Sequence, residues 1–280
     1  MHIGLTMFAT DYSIAPHELA KEAEARGFES IWLPEHTHIP ASRKTPYPAG
    51  GDLPNEYWHT LDPFAALAAA AAVTSHIKLA TGICLLIERD TIATAREAAT
   101  VDHISNGRFV FGVGGGWNAE EMENHGTVFK TRFKKLKEQV AAVRAIWRED
   151  EPSFRGEFVN FDPIWCYPKP VQKPGPAVIL GGMSYAAIDR VIDYGDGWLP
   201  IDAGMGPDTL APMFAEFERR VAASGRARES LPISVYGAPQ NAEVLDKYRK
   251  LGAARAIFRL RSEGRDAVLA KLDKLAKLVA

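Results

Sequence analysis

Three short segments carry residues that can do chemistry, and each follows a predicted strand. The first contains Glu35, His36 and His38, which can exchange protons or bind a metal. The second is the glycine run 112–116, whose uncovered backbone can lie against a flat ligand. The third, 181–184, has the sequence GGMS and starts a predicted helix, so its free backbone N–H groups can bind phosphate. Together these segments indicate a pocket for a large, flat cofactor.

Two other interpretations of these segments are disfavoured. A metal-dependent hydrolase on a barrel usually draws imidazoles and a carboxylate from later strands. All the histidines fall in the first half of the chain, at positions 2, 17, 36, 38, 59, 76, 103 and 125, so we expect no metal. A dinucleotide-binding fingerprint is equally disfavoured, because Trp117 stands where the third glycine of the GxGxxG motif should be. Cys84 has no cationic partner nearby in sequence, which favours a packing role.

These segments are positioned by a regular alternation of strands and helices. The clearest unit has a strand over 78–86, a helix capped by Asp90 and closed by Gly107, and a strand over 108–113. The other predicted strands are 3–8, 30–34, 177–180, 197–201, 232–237 and 255–260. Eight strands alternating with eight helices predict a closed (β/α)8 TIM barrel, with a doubly wound open sheet as the alternative. Either fold brings the carboxyl ends of its strands to one edge.

Two insertions interrupt this alternation, and we expect residues 1–280 to form a single barrel domain. The first, 40–60, follows strand two and contains Tyr57, Trp58 and His59, which predicts a lid or substrate wall. The second, 148–176, precedes strand five and has a hairpin turn at Arg155. Between them, 127–147 is predicted to be one long helix. Its predicted solvent-facing side carries Lys130, Lys134, Lys135, Lys137 and Arg144.

Composition excludes several classes of function. The chain has a net charge of -2 and dispersed basic residues, so we expect binding to neither nucleic acid nor an anionic membrane surface. Its two cysteines have no metal-type spacing. The N-terminus lacks the pattern of a signal peptide, and the longest apolar run, 64–73, is too short to cross a bilayer. We therefore expect a cytoplasmic protein that acts on a small molecule.

Several stretches together resemble the luciferase-like monooxygenase superfamily. The most specific is ATVDHISNGRFVFGVGGGWNAEEM, and the likeness extends to IGLTMF, SIWLPEHTHIP, KLATGI, PIWCYPKPVQKPGPAVILGG and YGDGWLP. The details are most similar to the branch of oxidoreductases that use the deazaflavin coenzyme F420. This resemblance implies a TIM barrel, usually homodimeric, that binds F420 or, as the alternative, FMN at the carboxyl-terminal mouth.

The resemblance also implies roles for individual residues. A non-prolyl cis peptide within 81–83 supports the central ring of the cofactor, glycines 181 and 182 with Met183 hold its phosphate, and His36 approaches the reactive carbon. The cofactor-binding residues predicted in this way are Met7, His36, Thr81, Gly82, Ile83, Gly114, Gly181, Gly182 and Met183. Arg43, Lys44 and Arg261 can meet a polyglutamate tail, although each alone is typical of a solvated surface.

The catalytic residues are predicted with less help from the resemblance. Sugar-phosphate-oxidising relatives have a glutamate where Gly115 stands and a tryptophan where Pro40 stands, so their substrates are not carried over. We expect His36 to be the general acid or base, with Glu35 and His59 as alternatives. The predicted function is hydride transfer between F420 and a small organic substrate. The alternatives are an FMN-dependent monooxygenase and a non-enzymatic flavin-binding protein.

Overall fold

The structure, a computed structural model, describes residues 1–279. Its barrel strands are β1 (His2–Thr6), β2 (Ser30–Leu33), β3 (Lys78–Thr81), β4 (Phe109–Val113), β7 (Val178–Gly181), β8 (Gly197–Leu199), β9 (Ile233–Tyr236) and β10 (Ala253–Arg259). These eight parallel strands close into a barrel in the order β1-β10-β9-β8-β7-β4-β3-β2, which confirms the TIM barrel and excludes the open sheet. β1 closes the ring, since Leu5 is in register with Ile31 on one side and Phe258 on the other.

Helices surround the barrel on its outside. They are α1 (Pro16–Ala25), α2 (Pro63–Ala72), α3 (Thr91–Ile104), α4 (Ala119–Asn124), α5 (Arg132–Arg148), α6 (Tyr185–Tyr194), α7 (Pro207–Ser224), α8 (Ala242–Lys250) and α9 (Arg265–Leu275). Asp90 caps α3 as predicted, and Asp62 and Ser184 cap α2 and α6 in the same way, each by accepting a hydrogen bond from a backbone N–H of the first turn. Gly107 has the expected left-handed φ of 82°. In residues 1–279, no helix is long and apolar enough to cross a membrane.

The predicted helix over 127–147 is wrong at its beginning. The short helix α4 precedes it, Gly126 breaks the chain direction with a φ of 70°, and α5 begins only at Arg132 after a 3-10 turn. Phe129 and Phe133 share helical spacing, so periodicity alone joined the turn to the helix.

The predicted solvent-facing side of α5 is confirmed for its exposed lysines but wrong for two residues. Lys135 donates to the carbonyl of Ile87 at 2.8 Å and to Thr127 Oγ1 at 2.6 Å. Arg144 donates to Asp196 at 2.6 Å. Both long side chains cross onto neighbouring segments, which sequence spacing cannot show.

The strand predicted over 78–86 ends at Thr81 and not at residue 86. A cis peptide bond joins Gly82 and Ile83, and beyond it only Cys84 pairs with β4, through an isolated parallel bridge to Val113. Cys84 is fully buried there and its thiol is free, in keeping with a packing role. The apolar run is long because this segment stays buried after the strand has ended.

The two predicted insertions lie as expected between β2 and α2 and between α5 and β7. The second contains a hairpin of β5 (Phe154–Arg155) and β6 (Asn160–Phe161). Beneath the barrel mouth, a small apolar cluster fills the space between the strands. It consists of Trp32, Ala80, Ile179, Leu199 and Ile257. These side chains give the cleft above them a closed floor.

Candidate active site

The carboxyl ends of the barrel strands surround a cleft of about 670 Å³. Most of the residues predicted to form the site line it, namely Glu35, His36, Gly82, Ile83, Gly181, Gly182 and Met183. Three others lie behind this lining. Met7 and Thr81 are fully buried, and Gly114 is covered by the side chain of Ile83.

Ile83 forms one wall of the cleft. A Cβ on Gly114 would lie 2.1 Å from its Cδ1, and a Cβ on Gly181 would lie 3.2 Å from its Cγ2. These two glycines therefore make room for Ile83 to turn into the mouth of the barrel. The cis peptide bond before Ile83 lies within the segment where the resemblance implies one. The result is an apolar surface on which a flat ring can rest.

His36 presents an oriented imidazole to the cleft. Its Nδ1 lies 2.7 Å from Oε2 of Glu121, and the backbone N–H of Thr37 donates to Oε1 of the same carboxylate at 3.0 Å. Because the carboxylate accepts, Nδ1 carries the hydrogen, and Nε2 is left as an acceptor. Within residues 1–279, Nε2 has no hydrogen-bond partner.

Aromatic rings surround this imidazole. The ring centroids of Tyr57 and Trp117 lie 5.1 Å and 5.7 Å from that of His36, and Phe8 lies at 6.4 Å. Tyr57 comes from the insertion predicted to form a wall, and it does line the cleft. Burial raises the pKa of its hydroxyl, which also donates to Tyr47 at 3.2 Å. The imidazole therefore faces a largely apolar chamber for a small substrate.

The alternatives to His36 are differently placed. Oε2 of Glu35 accepts from the N–H of Leu85 at 2.7 Å, and Oε1 accepts from Nε of Arg89 at 2.6 Å. Both oxygens are thus engaged in holding the loop after β3. His59 pairs with Asp11 at 2.9 Å on the surface. His36 is the group with a free nitrogen at the cleft.

The opposite end of the cleft is positively charged. Ser184 caps α6, and two arginines lie beside it, with the Cζ atoms of Arg132 and Arg190 at 4.3 Å and 3.7 Å from the ring centroid of Phe133. Among the described residues, neither arginine has a carboxylate partner, and Nε of Arg132 is buried without any partner. Burial lowers the pKa of both guanidinium groups, and Arg190 lowers that of Arg132 further. This end is built for an anion.

Sequence reasoning missed Glu121, Arg132 and Arg190. Glu121 lies on α4, which was not predicted at all. Arg132 begins α5, whose start was misplaced. Arg190 could have been found, because it follows the predicted anion site by under two helical turns on α6. The other two depend on contacts between residues far apart in the chain. None of the described residues forms a cluster that could hold a metal ion.

The closed barrel and its mouth define a (β/α)8 protein whose cleft combines a flat apolar wall with a positively charged region. The family model described as luciferase-like monooxygenase matches residues 15–276. The chain therefore belongs to the luciferase-like monooxygenase family.

Similar proteins differ in what is known of them. An uncharacterized protein of Mycobacterium tuberculosis is 37% identical over 284 residues, covering 100% of this chain and 99% of its own length. The pyrimidine monooxygenase RutA of Serratia proteamaculans is 34% identical over 179 residues, which is 61% of this chain and 48% of RutA. The chain thus spans about half the length of RutA.

Solved structures share the fold at low sequence identity. An F420-dependent secondary alcohol dehydrogenase, in complex with an F420-acetone adduct, has a TM-score of 0.76 at 19% identity and covers 100% of this chain and 98% of its own. A type II Baeyer-Villiger monooxygenase from Pseudomonas putida, in complex with FMN, has a TM-score of 0.64 at 20% identity. The match covers 84% of this chain and 66% of the monooxygenase. Proteins that share this fold therefore include one named as F420-dependent and one solved in complex with FMN.

Proposed function

We propose that this protein is an F420-dependent oxidoreductase that transfers a hydride between the deazaflavin and a small organic substrate. The observation that carries the proposal is the His36 imidazole, which Glu121 holds with Nε2 free at the cleft. Hydride transfer to a carbonyl group, or from an alcohol, is completed by moving one proton at the substrate oxygen. A histidine in this position can take up that proton or supply it.

The residues of the cleft fit such a cofactor. The wall at Ile83, with Gly82 before it, suits the flat ring system, and the N-terminus of α6 suits a phosphate. The buried, unpartnered Nε of Arg132 is explained if an anion binds there. Arg190, which has no acidic partner among the described residues, supplies a second positive charge. Arg43 lies over Trp117 at 5.6 Å and can meet a charged tail.

When bound, the deazaflavin accepts or donates the hydride. The protein handles the proton. In alcohol oxidation Nε2 of His36 accepts the hydroxyl proton, and the negative charge of Glu121 stabilises the imidazolium that results. In carbonyl reduction the imidazolium returns this proton to the oxygen. The rings of Tyr57, Trp117 and Phe8 exclude water from the reacting atoms.

A second candidate, an FMN-dependent monooxygenase, is favoured by one observation. Among the similar proteins described above, the Serratia protein, 34% identical over 179 residues, is a pyrimidine monooxygenase. FMN is also flat and carries a phosphate, so the wall and the arginines suit it as well. The distinction therefore requires direct binding measurements.

The test is a pair of titrations of the purified protein, with F420 and with FMN, followed by intrinsic tryptophan fluorescence, to which Trp117 in the cleft contributes. We expect micromolar or tighter binding of F420 and at least tenfold weaker binding of FMN, about 1.4 kcal/mol apart. Arg190→Gln should weaken the binding of F420. The matched control is Arg219→Gln, on the exposed surface of α7, where the arginine pairs with Glu216.

Each outcome of the titrations selects one function. Preference for FMN would replace the proposal with the monooxygenase. Binding of F420 without turnover of any alcohol or carbonyl compound would indicate a non-enzymatic binding protein. If neither cofactor bound, the proposal would be refuted. A single domain, a homodimeric assembly and a cytoplasmic location remain predictions from the sequence and the family resemblance.

A further inference from the structure

The short helix α4 is hydrogen-bonded to the first insertion through a side chain that the proposed mechanism does not use. The carboxylate of Glu120 accepts from the backbone N–H groups of Lys44 and Thr45, at 2.9 Å and 3.1 Å, and from the Thr45 hydroxyl at 2.6 Å. The backbone N–H of Ala119 also donates to that hydroxyl, at 3.3 Å. These bonds join segments at least 74 residues apart in the chain. They fasten residues 43–47, which we call the strap, to α4.

The bonds to Glu120 are of the strong kind because their acceptor is charged. Hydrogen bonds from N–H groups and a hydroxyl to a carboxylate are about twice as strong as bonds between neutral groups. The bond from the Thr45 hydroxyl is the largest cause that lowers the pKa of Glu120 to about 2, and the N–H groups of Lys44 and Thr45 act in the same direction. Glu120 is therefore ionised at neutral pH and holds the strap in its charged form.

The strap brings an aromatic ring to the wall of the cleft. Tyr47 lies between two prolines, which restrict the backbone on both sides of it, so its ring is displaced when Thr45 moves. Its ring centroid lies 5.3 Å from that of Tyr57 and 6.1 Å from that of Trp117, and the hydroxyl of Tyr57 donates to its own at 3.2 Å. Tyr57 and Trp117 are two of the rings that surround His36. Tyr47 therefore supports the aromatic wall from its outer side.

The next residue of α4 holds the imidazole itself. Glu121 accepts from Nδ1 of His36 at 2.7 Å and from the N–H of Thr37 at 3.0 Å. Successive residues of an α-helix point about 100° apart, so adjacent carboxylates can bind two different segments. Through Glu120 and Glu121, one helix fixes the position of the strap relative to His36.

We propose that Glu120 is a positioning residue that keeps the strap closed, so that Tyr47 completes the aromatic wall of the substrate chamber. The inference rests on the proposed function, which assigns this chamber to a small organic substrate. Without the carboxylate, the strap loses its charged acceptor and the wall loosens. The substrate is then held less tightly, whereas His36 keeps its bond to Glu121.

The first test uses the ligand-free protein and does not depend on catalysis. Trypsin cleaves after Arg43 and Lys44, which both lie in the strap, and a protease needs such a segment to be released from its contacts. Glu120→Ala should raise the rate of cleavage at these two bonds by about tenfold or more, because the released form becomes more populated. The control is Glu123→Ala, which removes an exposed carboxylate from the same helix and should leave the rate unchanged. Equal rates in Glu120→Ala and the unsubstituted protein would overturn the proposal.

A measurement on the unsubstituted protein covers the case in which the variant fails to fold. Hydrogen exchange resolved to single amides should show the N–H groups of Lys44 and Thr45 protected by about tenfold or more, after correction for intrinsic rates, relative to those of the exposed Ser42 and Ala49. Equal protection at all four amides would also refute the proposal. Both tests stand apart from the F420 titration, so failure to bind F420 would refute the proposed function and leave the role of Glu120 in holding the strap intact.

The kinetic test applies once a substrate is known, and it separates positioning from a general loss of structure. Glu120→Ala should raise KM about tenfold and change kcat by less than about threefold, because the lost contacts support substrate binding and not proton transfer. Glu120→Gln keeps one acceptor oxygen for the N–H groups and should restore part of the loss in KM. Binding of F420 should be unchanged, since the proposed phosphate site lies at the N-terminus of α6. An unchanged KM in Glu120→Ala would overturn the proposal, whatever the change in kcat.

Discussion

The carboxyl group of Glu88 is buried, and its oxygens have no hydrogen-bond partner among the described residues. This leads to a prediction about stability that can be tested without any ligand. Burial, together with the charges of Glu121 and Glu35, raises the pKa of Glu88 from 4.5 to about 9 in the folded chain. Below about pH 4.5 the carboxyl group is protonated in both states, and its neutral form costs no charge burial. As pH rises towards 9, the unfolded chain loses this proton while the folded chain keeps it. The free energy of unfolding therefore falls with rising pH.

The magnitude follows from proton linkage. Each pH unit between the two pKa values lowers the free energy of unfolding by about 1.4 kcal/mol. From about pH 5.5 to 8.5 the total is about 4 kcal/mol as an upper bound, and water entering beside the carboxyl group would reduce it to about half. Glu88→Gln cannot ionise, so its stability lacks this dependence.

The assay is urea unfolding of the unsubstituted protein and of Glu88→Gln at several pH values in this window. The difference between the two free energies isolates Glu88, because the other titrating groups are common to both proteins. We expect the free energy of unfolding of Glu88→Gln to rise relative to that of the unsubstituted protein by at least about 2 kcal/mol over this pH window. Parallel pH profiles would show that Glu88 is ionised in the folded state and would refute the reasoning.

Three other predictions concern the barrel and its catalytic group. Although burial opposes its ionisation, Glu29 has its pKa lowered to about 2 by Arg255, which donates to it at 2.6 Å and 2.7 Å. Acid titration from about pH 4.5 to 2 should therefore lower the free energy of unfolding by up to ~3 kcal/mol. Glu29→Gln should abolish this acid dependence. Gly112→Ala would place a Cβ 2.1 Å from a carbonyl oxygen of β3 and should lower the free energy of unfolding, measured in urea, by more than ~3 kcal/mol. The control is Gly264→Ala, whose added Cβ would meet no atom within 4 Å and should lower it by at most ~1 kcal/mol. His36→Gln should lower kcat by about 10²- to 10⁴-fold while F420 still binds, and unchanged kcat would remove His36 from the mechanism.

The parts of the fold that local chemistry decides were predicted correctly. Asp90 caps α3 because a short acceptor side chain next to a free N–H acts within one turn of chain. The closed barrel was the first of the two folds that the alternation of strands and helices predicted. The errors came where a sequence pattern typical of one structure also arises from another. The apolar run after Lys78 continues past the end of the strand, and the spacing of Phe129 extends a helix into a turn.

The residues of the candidate site also fall into two groups, those that local sequence signals indicate and those that only the folded chain brings together. Strand ends and glycine turns are local signals, so the sequence indicated His36 and the segment 181–184. The partner of His36 is a different case, since Glu121 is separated from it by 85 residues. Charge balance is also a property of the folded chain. Neither the surplus of carboxyl groups around Glu88 nor the unpaired state of Arg190 can be read from the residues alone.

The distribution of charge restricts how a ligand can lie in the cleft. At one end Arg132 and Arg190 have no acidic partner among the described residues, and the N-terminus of α6 adds positive potential. At the other end the carboxylate of Glu121, which accepts from His36, contributes a negative charge. A ligand with a phosphate would be repelled from this end and attracted to the first, so a single orientation is favoured. For the proposed cofactor, that orientation would direct the uncharged ring towards Nε2 of His36, the atom to which the proposed function assigns proton exchange.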